Sequence, residues 1–371
     1  MTCDGVTWRP NPHSDRDWED DPMRTYDFRS DTVTLPTRAM MDAVATAPLG
    51  DSARGDDPTV ARLEEIGREL TGKEDALFVP SGTMANLAAV MAHECRGGEV
   101  IVEEAAHIYN SESGGLSVVA GAVPRPIGGR HGVLDVADVQ AAIRAGTDLS
   151  RAPTRLICLE NTHNASGGMV LPLATMAAIK AVATNAGLSV HLDGARLLNA
   201  AAYLDVPLSE ICRHVDSVWF ALCKGLGGPV GALLAGDRAF MLRARRAAKM
   251  LGGGMRQAGL IAAPAIVALR DPYPLLRRDH ELAGELARGL CAIDPSLVNV
   301  ERVQTNIVNC FVDKFAADAA PIVRELRERG VLVNSRLTKM RFVTHYHIDE
   351  AAVAAAVRAV ADVIASFRKA A

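Results

Sequence analysis

Two stretches of sequence decide the fold: SVHLDGAR, residues 189–196, and SVWFALCKGLGGPVG, residues 217–231. In each stretch a run of apolar and β-branched residues gives way to a charged side chain and a turn of small residues. Such runs are typical of buried strands in a parallel sheet, whose ligands bind beyond the carboxyl ends of the strands. We therefore expect Asp193, Arg196 and Lys224 to lie at one edge of a sheet.

Outward from these stretches, strand-like runs alternate with helical patterns over residues 60–250, which predicts an α/β fold. Residues 25–270 should form a large domain with a mostly parallel seven-stranded sheet between helices. After a hinge at Asp271, Pro272 and Pro274, helices and strands mix differently, so residues 271–371 are expected to form a smaller α+β domain. The acidic, polar residues 1–24 are expected to be a flexible extension.

Composition narrows the class of function. The chain has 371 residues, a formal net charge of -4 and no long basic run, so nothing indicates a nucleic-acid partner. Uninterrupted apolar runs stay too short for a membrane span. Seven scattered cysteines without a paired short spacing read as reduced thiols of a cytoplasmic protein. A small-molecule ligand is the expected partner.

A third element completes a possible ligand site. In FVPSGTMANL, residues 78–87, a strand gives way at Ser81, Gly82 and Thr83 to a helix. The free N–H groups and positive dipole end of a helix N-terminus attract an anion, although such a start is also common without a ligand. Lys224 alone could equally be a solvated lysine on a turn.

Together the three elements match what pyridoxal phosphate requires. Its phosphate needs an anion cradle and its aldehyde needs a lysine, which burial would favour for Schiff-base chemistry. Its ring nitrogen needs an acid such as Asp193 to keep it protonated, so that the ring can accept electrons from a carbanion.

The chain also resembles the low-specificity L-threonine aldolase family, which belongs to the aspartate aminotransferase superfamily of fold type I. The resemblance extends from about Tyr26 to the C-terminal part. It rests on the following stretches, in the family's order: FRSDTVTLPT, GDDPTVARLE, PSGTMANL, AAHIYNSESGG, LENTHN, HLDGARLLNA, KGLGGPVG, KMLGGGMRQAG and MRFVTH.

The resemblance implies roles for further residues. His107 should stack on the cofactor ring as a largely uncharged imidazole, and His163 should face the β-hydroxyl of the substrate, either as the base or by orienting a water. Ser30, Arg196 and Arg341 correspond to positions that hold the amino-acid carboxylate, and Arg196 also to one near the cofactor. Without the resemblance, His107 would read as a core or cap residue and Arg341 as a surface ion-pair partner.

Other family positions imply an assembly. Lys249 and Arg256 bracket a glycine-rich loop that in the family lies near the cofactor phosphate, with the arginine reaching a neighbouring subunit. This implies active sites shared between subunits of a homotetramer, a dimer of dimers. Arg336 corresponds to another active-site arginine in different surroundings. Arg54 stands where the family commonly has tyrosine, and we hypothesise that it attracts a second carboxylate on a substrate.

The expected activity is cleavage of L-threonine, L-allo-threonine or related β-hydroxy-α-amino acids to glycine and an aldehyde. A β-eliminating lyase or a transaldolase acting on another β-substituted amino acid would use the same cofactor residues, and a catalytically silent scaffold is a further alternative. His345 and His347 share a strand face, but two histidines do not make a metal site and no metal is expected.

Overall fold

The structure, a computed structural model, describes residues 25–370; the predicted flexible extension over residues 1–24 lies outside them. The strands are β1 (Tyr26–Asp27), β2 (Asp75–Val79), β3 (Glu99–Glu103), β4 (Val123–Ile127), β5 (Gly129–Arg130), β6 (Val133–Leu134), β7 (Thr154–Glu160), β8 (Ser189–Gly194), β9 (Ser217–Ala221), β10 (Ala232–Gly236), β11 (Ile307–Phe311), β12 (Val331–Leu332), β13 (Asn334–Arg336) and β14 (Lys339–Val343).

The helices are α1 (Arg38–Thr46), α2 (Pro58–Thr71), α3 (Gly82–Ala92), α4 (His107–Asn110), α5 (Gly115–Val118), α6 (Val136–Ala142), α7 (Leu173–Asn185), α8 (Leu197–Leu204), α9 (Leu208–Cys212), α10 (Arg238–Met250), α11 (Gly259–Ala268), α12 (Pro272–Ile293), α13 (Ala320–Glu328) and α14 (Glu350–Ala370).

Seven strands form the central sheet in the order β2-β10-β9-β8-β7-β3-β4. Strand β10 is antiparallel to both of its neighbours, and the pairings from β9 through β4 are parallel. The predicted α/β fold with a mostly parallel seven-stranded sheet is therefore confirmed.

Alternate residues of β9 show why this sheet lies between two layers of helices. Val218 and Phe220 belong to the hydrophobic core that includes residues of α2, α7 and α11, whereas Trp219 and Ala221 belong to the core that includes α3 and α10. Side chains alternate across a strand, so a strand that is apolar at every position needs cover on both faces.

A separate hydrophobic core contains residues of α12, α13 and α14 and of the antiparallel sheet β11-β14-β13. The start of the described chain joins this core. Strand β1 pairs in parallel with β12, and the buried ring of Phe28 packs edge-on against Phe342 with ring centroids 5.8 Å apart. The first strand therefore lies with the C-terminal elements, although the sequence grouped it with the large domain.

Asp271, Pro272 and Pro274, where the sequence predicts a hinge between domains, lie at the beginning of α12. Proline is well tolerated in the first turn of a helix because its missing N–H would have no intrahelical partner there. The two prolines therefore start a helix of 22 residues. Over residues 25–370, no helix combines the length and apolar character needed to cross a membrane.

Candidate active site

The carboxyl ends of neighbouring strands bring polar groups to one edge of the sheet. Asp193 on β8 is opposite Glu160 on β7, and Lys224 follows β9. A cavity of about 170 Å³ opens at this edge. Of the residues predicted from the sequence, the cavity is lined by Ser30, His107, Arg196, Lys224 and Arg341.

The Lys224 amine lies in surroundings that disfavour its charge. Burial lowers its pKa, the nearby Arg196 guanidinium lowers it further, and Asp31 and Asp193 oppose the shift. A lysine with a lowered pKa has more of the neutral amine that attacks a carbonyl. The amine is also 5.9 Å from the centre of the Trp219 ring.

Arg196 is held by a two-pronged ion pair. Its Nε and Nη2 donate to the two carboxylate oxygens of Asp31 at 2.7 Å each, and both side chains are buried. Its Nη1 donates to Asn164 Oδ1 at 3.2 Å, and Arg341 Nη1 donates to the same oxygen at 3.0 Å. Two guanidinium groups thus converge beside the cavity, with a single carboxylate, Asp31, paired to one of them.

Asp193 is held as a carboxylate acceptor. Its Oδ1 accepts from the backbone N–H of Ala195 at 3.2 Å and its Oδ2 from Asn86 Nδ2 at 2.9 Å. Asn86 Nδ2 also donates to Glu112, and Glu112 lies 3.2 Å from His107 Nδ1. The acid expected at the ring nitrogen and the imidazole expected over the ring are therefore joined through two intervening side chains.

The contact with Glu112 bears on the expectation of a largely uncharged His107. The hydrogen bond to Glu112 raises the pKa of His107, with further contributions from the charges of Asp193 and Glu160, although burial acts in the opposite direction. The surrounding carboxylates thus act against the uncharged form that the family resemblance implies.

The predicted anion cradle is the N-terminus of α3. Ser81 caps this helix, its Oγ accepting from the Met84 backbone N–H at 3.2 Å. Gly82 is required here because a Cβ atom would come within 2.2 Å of the Trp219 ring. The Trp219 side chain thus lies against the turn that begins the helix.

Comparison with known proteins agrees with this geometry. A family model described as Beta-eliminating lyase matches residues 27–313. The chain is 43% identical to a probable low-specificity L-threonine aldolase of Arabidopsis thaliana, over 88% of this chain and 94% of that protein. It is 42% identical to the low specificity L-threonine aldolase of Escherichia coli K12, over 87% and 94%.

The chain belongs to the low-specificity L-threonine aldolase family. Solved structures agree on the fold: a threonine aldolase of Leishmania major superposes with a TM-score of 0.78 at 23% identity, over 91% of this chain and 99% of that one. A protein titled a putative L-allo-threonine aldolase, from Listeria monocytogenes, gives 0.76 at 21%, over 92% and 97%. The resemblance predicted from the motifs is thereby confirmed.

Within this family fold, His163 lies behind the cavity wall instead of facing the cavity. Its side chain has no exposed surface, its Nε2 is 3.0 Å from Glu103 Oε2, and its Nδ1 is 2.9 Å from Ser166 Oγ. Gly132 of the β5–β6 hairpin covers the ring so closely that a Cβ atom there would be 2.1 Å from His163 Cγ. Both ring nitrogens of His163 have protein partners, and its expected role toward the substrate hydroxyl, as the base or by orienting a water, stays a prediction.

The sequence interpretation missed three polar residues at the cavity: Thr32, Glu160 and Asn164. Glu160 accepts from the backbone N–H groups of His107 at 2.6 Å and Asn164 at 2.8 Å. Burial raises the pKa of Glu160, and the charge of Asp193 adds to the effect. The signal was available, since Glu160 ends the strand run RLICLEN at the same sheet edge as Asp193.

Lys249, Arg256 and Arg336 are among the predicted site residues that do not line the cavity. Lys249 and Arg336 are exposed, the former with its amine beside Gly254. The exposed Arg256 donates from Nη1 to Asp51 Oδ2 at 2.9 Å, and Arg54 Nε is 3.6 Å from the same oxygen. The predicted contribution of Lys249 and Arg256 to a site shared with another subunit stays a prediction.

His345 and His347 do not form a metal site together. His345 Nε2 donates to the backbone carbonyl of Asp27 at 2.8 Å, so this histidine anchors β1. Among residues 25–370, one triad, His107, Glu112 and Asp193, brings possible ligand atoms within 4.8 Å of one another. Its members are already joined through the hydrogen bonds of Asn86 and Glu112, inside the candidate cofactor site.

Proposed function

We propose that this protein is a pyridoxal-phosphate-dependent lyase that cleaves L-threonine, L-allo-threonine or related β-hydroxy-α-amino acids to glycine and an aldehyde. The observation that carries the proposal is the convergence of the Lys224 amine, with its lowered pKa, and two guanidinium groups on one cavity next to Asp193. Relatives that share over 40% of their residues with this chain are named low-specificity L-threonine aldolases.

The residues present fit this cofactor. Lys224 would hold its aldehyde carbon and Asp193 its ring nitrogen, with His107 against the ring and the N-terminus of α3 at Ser81 toward the phosphate. The carboxylate of Asp193 keeps lone pairs free beyond its two hydrogen bonds. When bound, pyridoxal phosphate supplies an electron sink for the pair of electrons released as the Cα–Cβ bond breaks.

The substrate carboxylate is assigned to Ser30, Arg196 and Arg341. Burial lowers the pKa of Arg341 and the like charge of Arg196 adds to the effect, while Asp31 opposes it. An anion placed between the two guanidinium groups would relieve their repulsion and accept hydrogen bonds from both. The carboxylate therefore orients the amino acid relative to Lys224.

Cleavage requires one proton to leave the β-hydroxyl and one to reach Cα after the aldehyde departs. Glu160 is placed for the first transfer, directly or through a water, because it is the cavity-lining carboxylate among the described residues and its pKa is raised. His163 Nε2 lies 4.0 Å from Glu160 Oε2. The Lys224 amine is placed for the second transfer.

Assembly and location complete the proposal. A homotetramer in which Lys249 and Arg256 approach a neighbouring subunit's cofactor is supported by their exposure outside this chain's own cavity. A cytoplasmic location is supported by the free thiols of the six described cysteines. The partners are an amino acid and an aldehyde, and no nucleic-acid or membrane partner is proposed.

The decisive experiment adds L-threonine and L-allo-threonine to protein saturated with pyridoxal phosphate and follows the visible absorption, acetaldehyde and glycine. We expect a visible band that changes with substrate and equal amounts of both products. The Lys224→Arg variant, which keeps the charge but not the amine, should bind cofactor without this band. Ammonia and an oxo acid as products would identify β-elimination, exchange of added aldehyde into the amino acid a transaldolase, and absence of the band in the wild type a silent scaffold.

A further inference from the structure

Asn86, on α3, has a side chain whose hydrogen-bonding capacity is completely used. It is fully buried. Its Nδ2 donates to Glu112 Oε1 at 2.8 Å and to Asp193 Oδ2 at 2.9 Å. Its Oδ1 accepts from Trp219 Nε1 at 2.6 Å and lies 3.1 Å from His191 Nε2. A carboxamide offers two donor hydrogens and two acceptor lone pairs, and here each of the four has a partner.

The hydrogen-bond partners of Asn86 permit only one orientation of its side-chain amide. The indole N–H of Trp219 can only donate, so Oδ1 must face it. The carboxylates of Asp193 and Glu112 can only accept while ionised, so they must face Nδ2. Rotation of the amide by half a turn would set two donors against each other and two acceptors against each other at these distances.

A series of hydrogen-bonded side chains also fixes the orientation of the Asn86 amide. Burial lowers the pKa of His191 to about 3, so the ring is neutral and its Nε2–H donates to Asn86. His191 Nδ1 must then accept from the Ser217 hydroxyl at 2.8 Å. The same hydroxyl oxygen accepts from His93 Nε2 at 2.7 Å. In this series, His93, Ser217 and His191 each donate to the next member, and the last hydrogen bond is donated to Asn86.

Each partner on the cavity side leads to a different contact with the cofactor. Asp193 is the acid for the ring nitrogen, and Glu112 holds His107 at 3.2 Å. Trp219 lies against Gly82 at the start of the phosphate cradle and 5.9 Å from the Lys224 amine.

We propose that Asn86 is a positioning residue that fixes the Asp193 carboxylate for the cofactor ring nitrogen and, through Glu112, the His107 ring. The inference rests on the proposed function for the identity of the cofactor. Asn86 acts as the neutral donor between two buried carboxylates, Asp193 and Glu112. Its two N–H groups donate to both carboxylates, and the hydrogen bond to Glu112 opposes the rise that burial and the charge of Asp193 cause in the pKa of Glu112.

The test compares Asn86→Asp, an almost isosteric change that removes both donors, with Asn199→Asp as a matched control. Asn199 is a buried asparagine on α8 whose Nδ2 contacts His280 at 3.1 Å, outside this network. For each holoenzyme we would measure the dissociation constant of pyridoxal phosphate, the pH titration of its visible band, and kcat and KM for L-threonine.

For Asn86→Asp we expect cofactor affinity to fall roughly 10- to 100-fold, as for loss of a hydrogen bond to a charged group. The pH midpoint of the band should shift by about one unit. The value of kcat should fall while KM changes little, because the carboxylate-binding arginines are untouched. Asn199→Asp should leave the cofactor affinity and the titration within twofold and about 0.2 units of the wild type.

A charge-matched double variant separates positioning from the effect of the added charge. Asn86→Asp with Glu112→Gln restores the local formal charge, but residue 112 contacts residue 86 and His107, so the double variant supplies no donor to Asp193 in place of Asn86 Nδ2. If Asn86 acts by positioning Asp193, the cofactor affinity of the double variant should stay well below that of the wild type. If Asn86→Asp does not fold, Asn86→Ser, which retains a hydroxyl donor in a smaller side chain, takes its place, with a smaller expected loss.

The proposal is overturned if Asn86→Asp matches Asn199→Asp in affinity and titration, or if the double variant regains the cofactor affinity of the wild type, since charge alone would then explain the loss. A wild-type protein without the visible band or without acetaldehyde release would overturn the proposed function instead. The two failures are therefore distinguishable.

Discussion

The His163 Nε2 atom lies 3.0 Å from Glu103 Oε2, and the two side chains are 0% and 7% exposed. Burial lowers the pKa of His163, but the hydrogen bond that its ring donates to Glu103 and the charges of Glu160 and Glu103 raise it by more, so its pKa lies above the ordinary value. This buried pair supports the wall of the cavity on the side of Glu160.

We expect Glu103→Ala to lower the free energy of unfolding by about 3 kcal/mol, as when one partner of a buried pair is removed. Because the folded pKa of His163 is raised, the stabilisation from its charge is present below the unfolded pKa of about 6.5 and is lost as pH rises through the folded pKa. The difference in urea unfolding between wild type and variant should thus be larger at pH 6 than at pH 9. A difference that grows with pH would contradict the charged pair.

Two glycines with positive φ form a matched pair. Gly132 has φ +83° and faces His163, whereas Gly187 has φ +67° with no heavy atom within 4 Å of an added Cβ. We expect Gly187→Ala to cost about 1 kcal/mol from backbone conformation alone. Gly132→Ala should cost about 3 kcal/mol or more, since overlap is added. If urea unfolding shows that the two variants lose the same free energy of unfolding, Gly132 is not in close contact with the His163 ring.

The Asp31–Arg196 pair should matter for stability in a pH-dependent way. Burial alone would raise the pKa of Asp31, but the charge and hydrogen bonds of Arg196 lower it well below its usual range. Its stabilisation is therefore present above the unfolded pKa of about 3.9 and is lost as pH falls toward the folded pKa.

Asp31→Asn should accordingly destabilise the protein by about 3–5 kcal/mol at pH 7, with a smaller difference from wild type below about pH 4. Asp42→Asn is the control, because the Arg38–Asp42 pair is exposed and should contribute at most about 1 kcal/mol. Chemical unfolding across pH measures both, and similar losses in the two variants would argue against the buried pair.

The two C-terminal arginines should behave differently in catalysis. Arg341 lines the cavity, whereas Arg336 is exposed outside it. We expect Arg341→Ala to raise KM for L-threonine roughly 10- to 150-fold, as for loss of a hydrogen bond to a charged group. Arg336→Ala should change it less than threefold in steady-state kinetics. The opposite order would shift the carboxylate site to β13.

Substitution of Arg54 tests which substrates the protein prefers. Its guanidinium is exposed and shares Asp51 with Arg256, so it is available to an acidic substrate. Arg54→Tyr should reduce kcat/KM for a substrate with a second carboxylate relative to L-threonine, by several-fold for an exposed charge. An unchanged ranking of acidic and neutral substrates would remove Arg54 from specificity.

Periodicity and strand-end chemistry in the sequence were sufficient to predict the sheet and the convergence of Asp193, Arg196 and Lys224, because both depend on local patterns. The orientation of His163 was not predictable in this way. It depends on Glu103 from another strand and on Gly132 from a hairpin. Both residues are distant in sequence from the LENTHN motif, so the motif does not predict these contacts. The raised pKa of His107 likewise depends on Glu112, whose role appears only once Asn86 and Asp193 are seen beside it.

Because β1 pairs with β12, the first described strand can take its final place only late in the synthesis of the chain. The hydrogen bond from Asn334 to the Arg29 carbonyl spans 305 residues, and His345 anchors Asp27. During synthesis, chains emerge N-terminus first and early segments can fold before later ones exist. These two contacts cannot hold the segment that carries Asp31 in place until residues near 345 have left the ribosome. Nascent chains that already contain Lys224 and Asp193 therefore still lack Arg341 and the contacts that hold the N-terminal segment at the site.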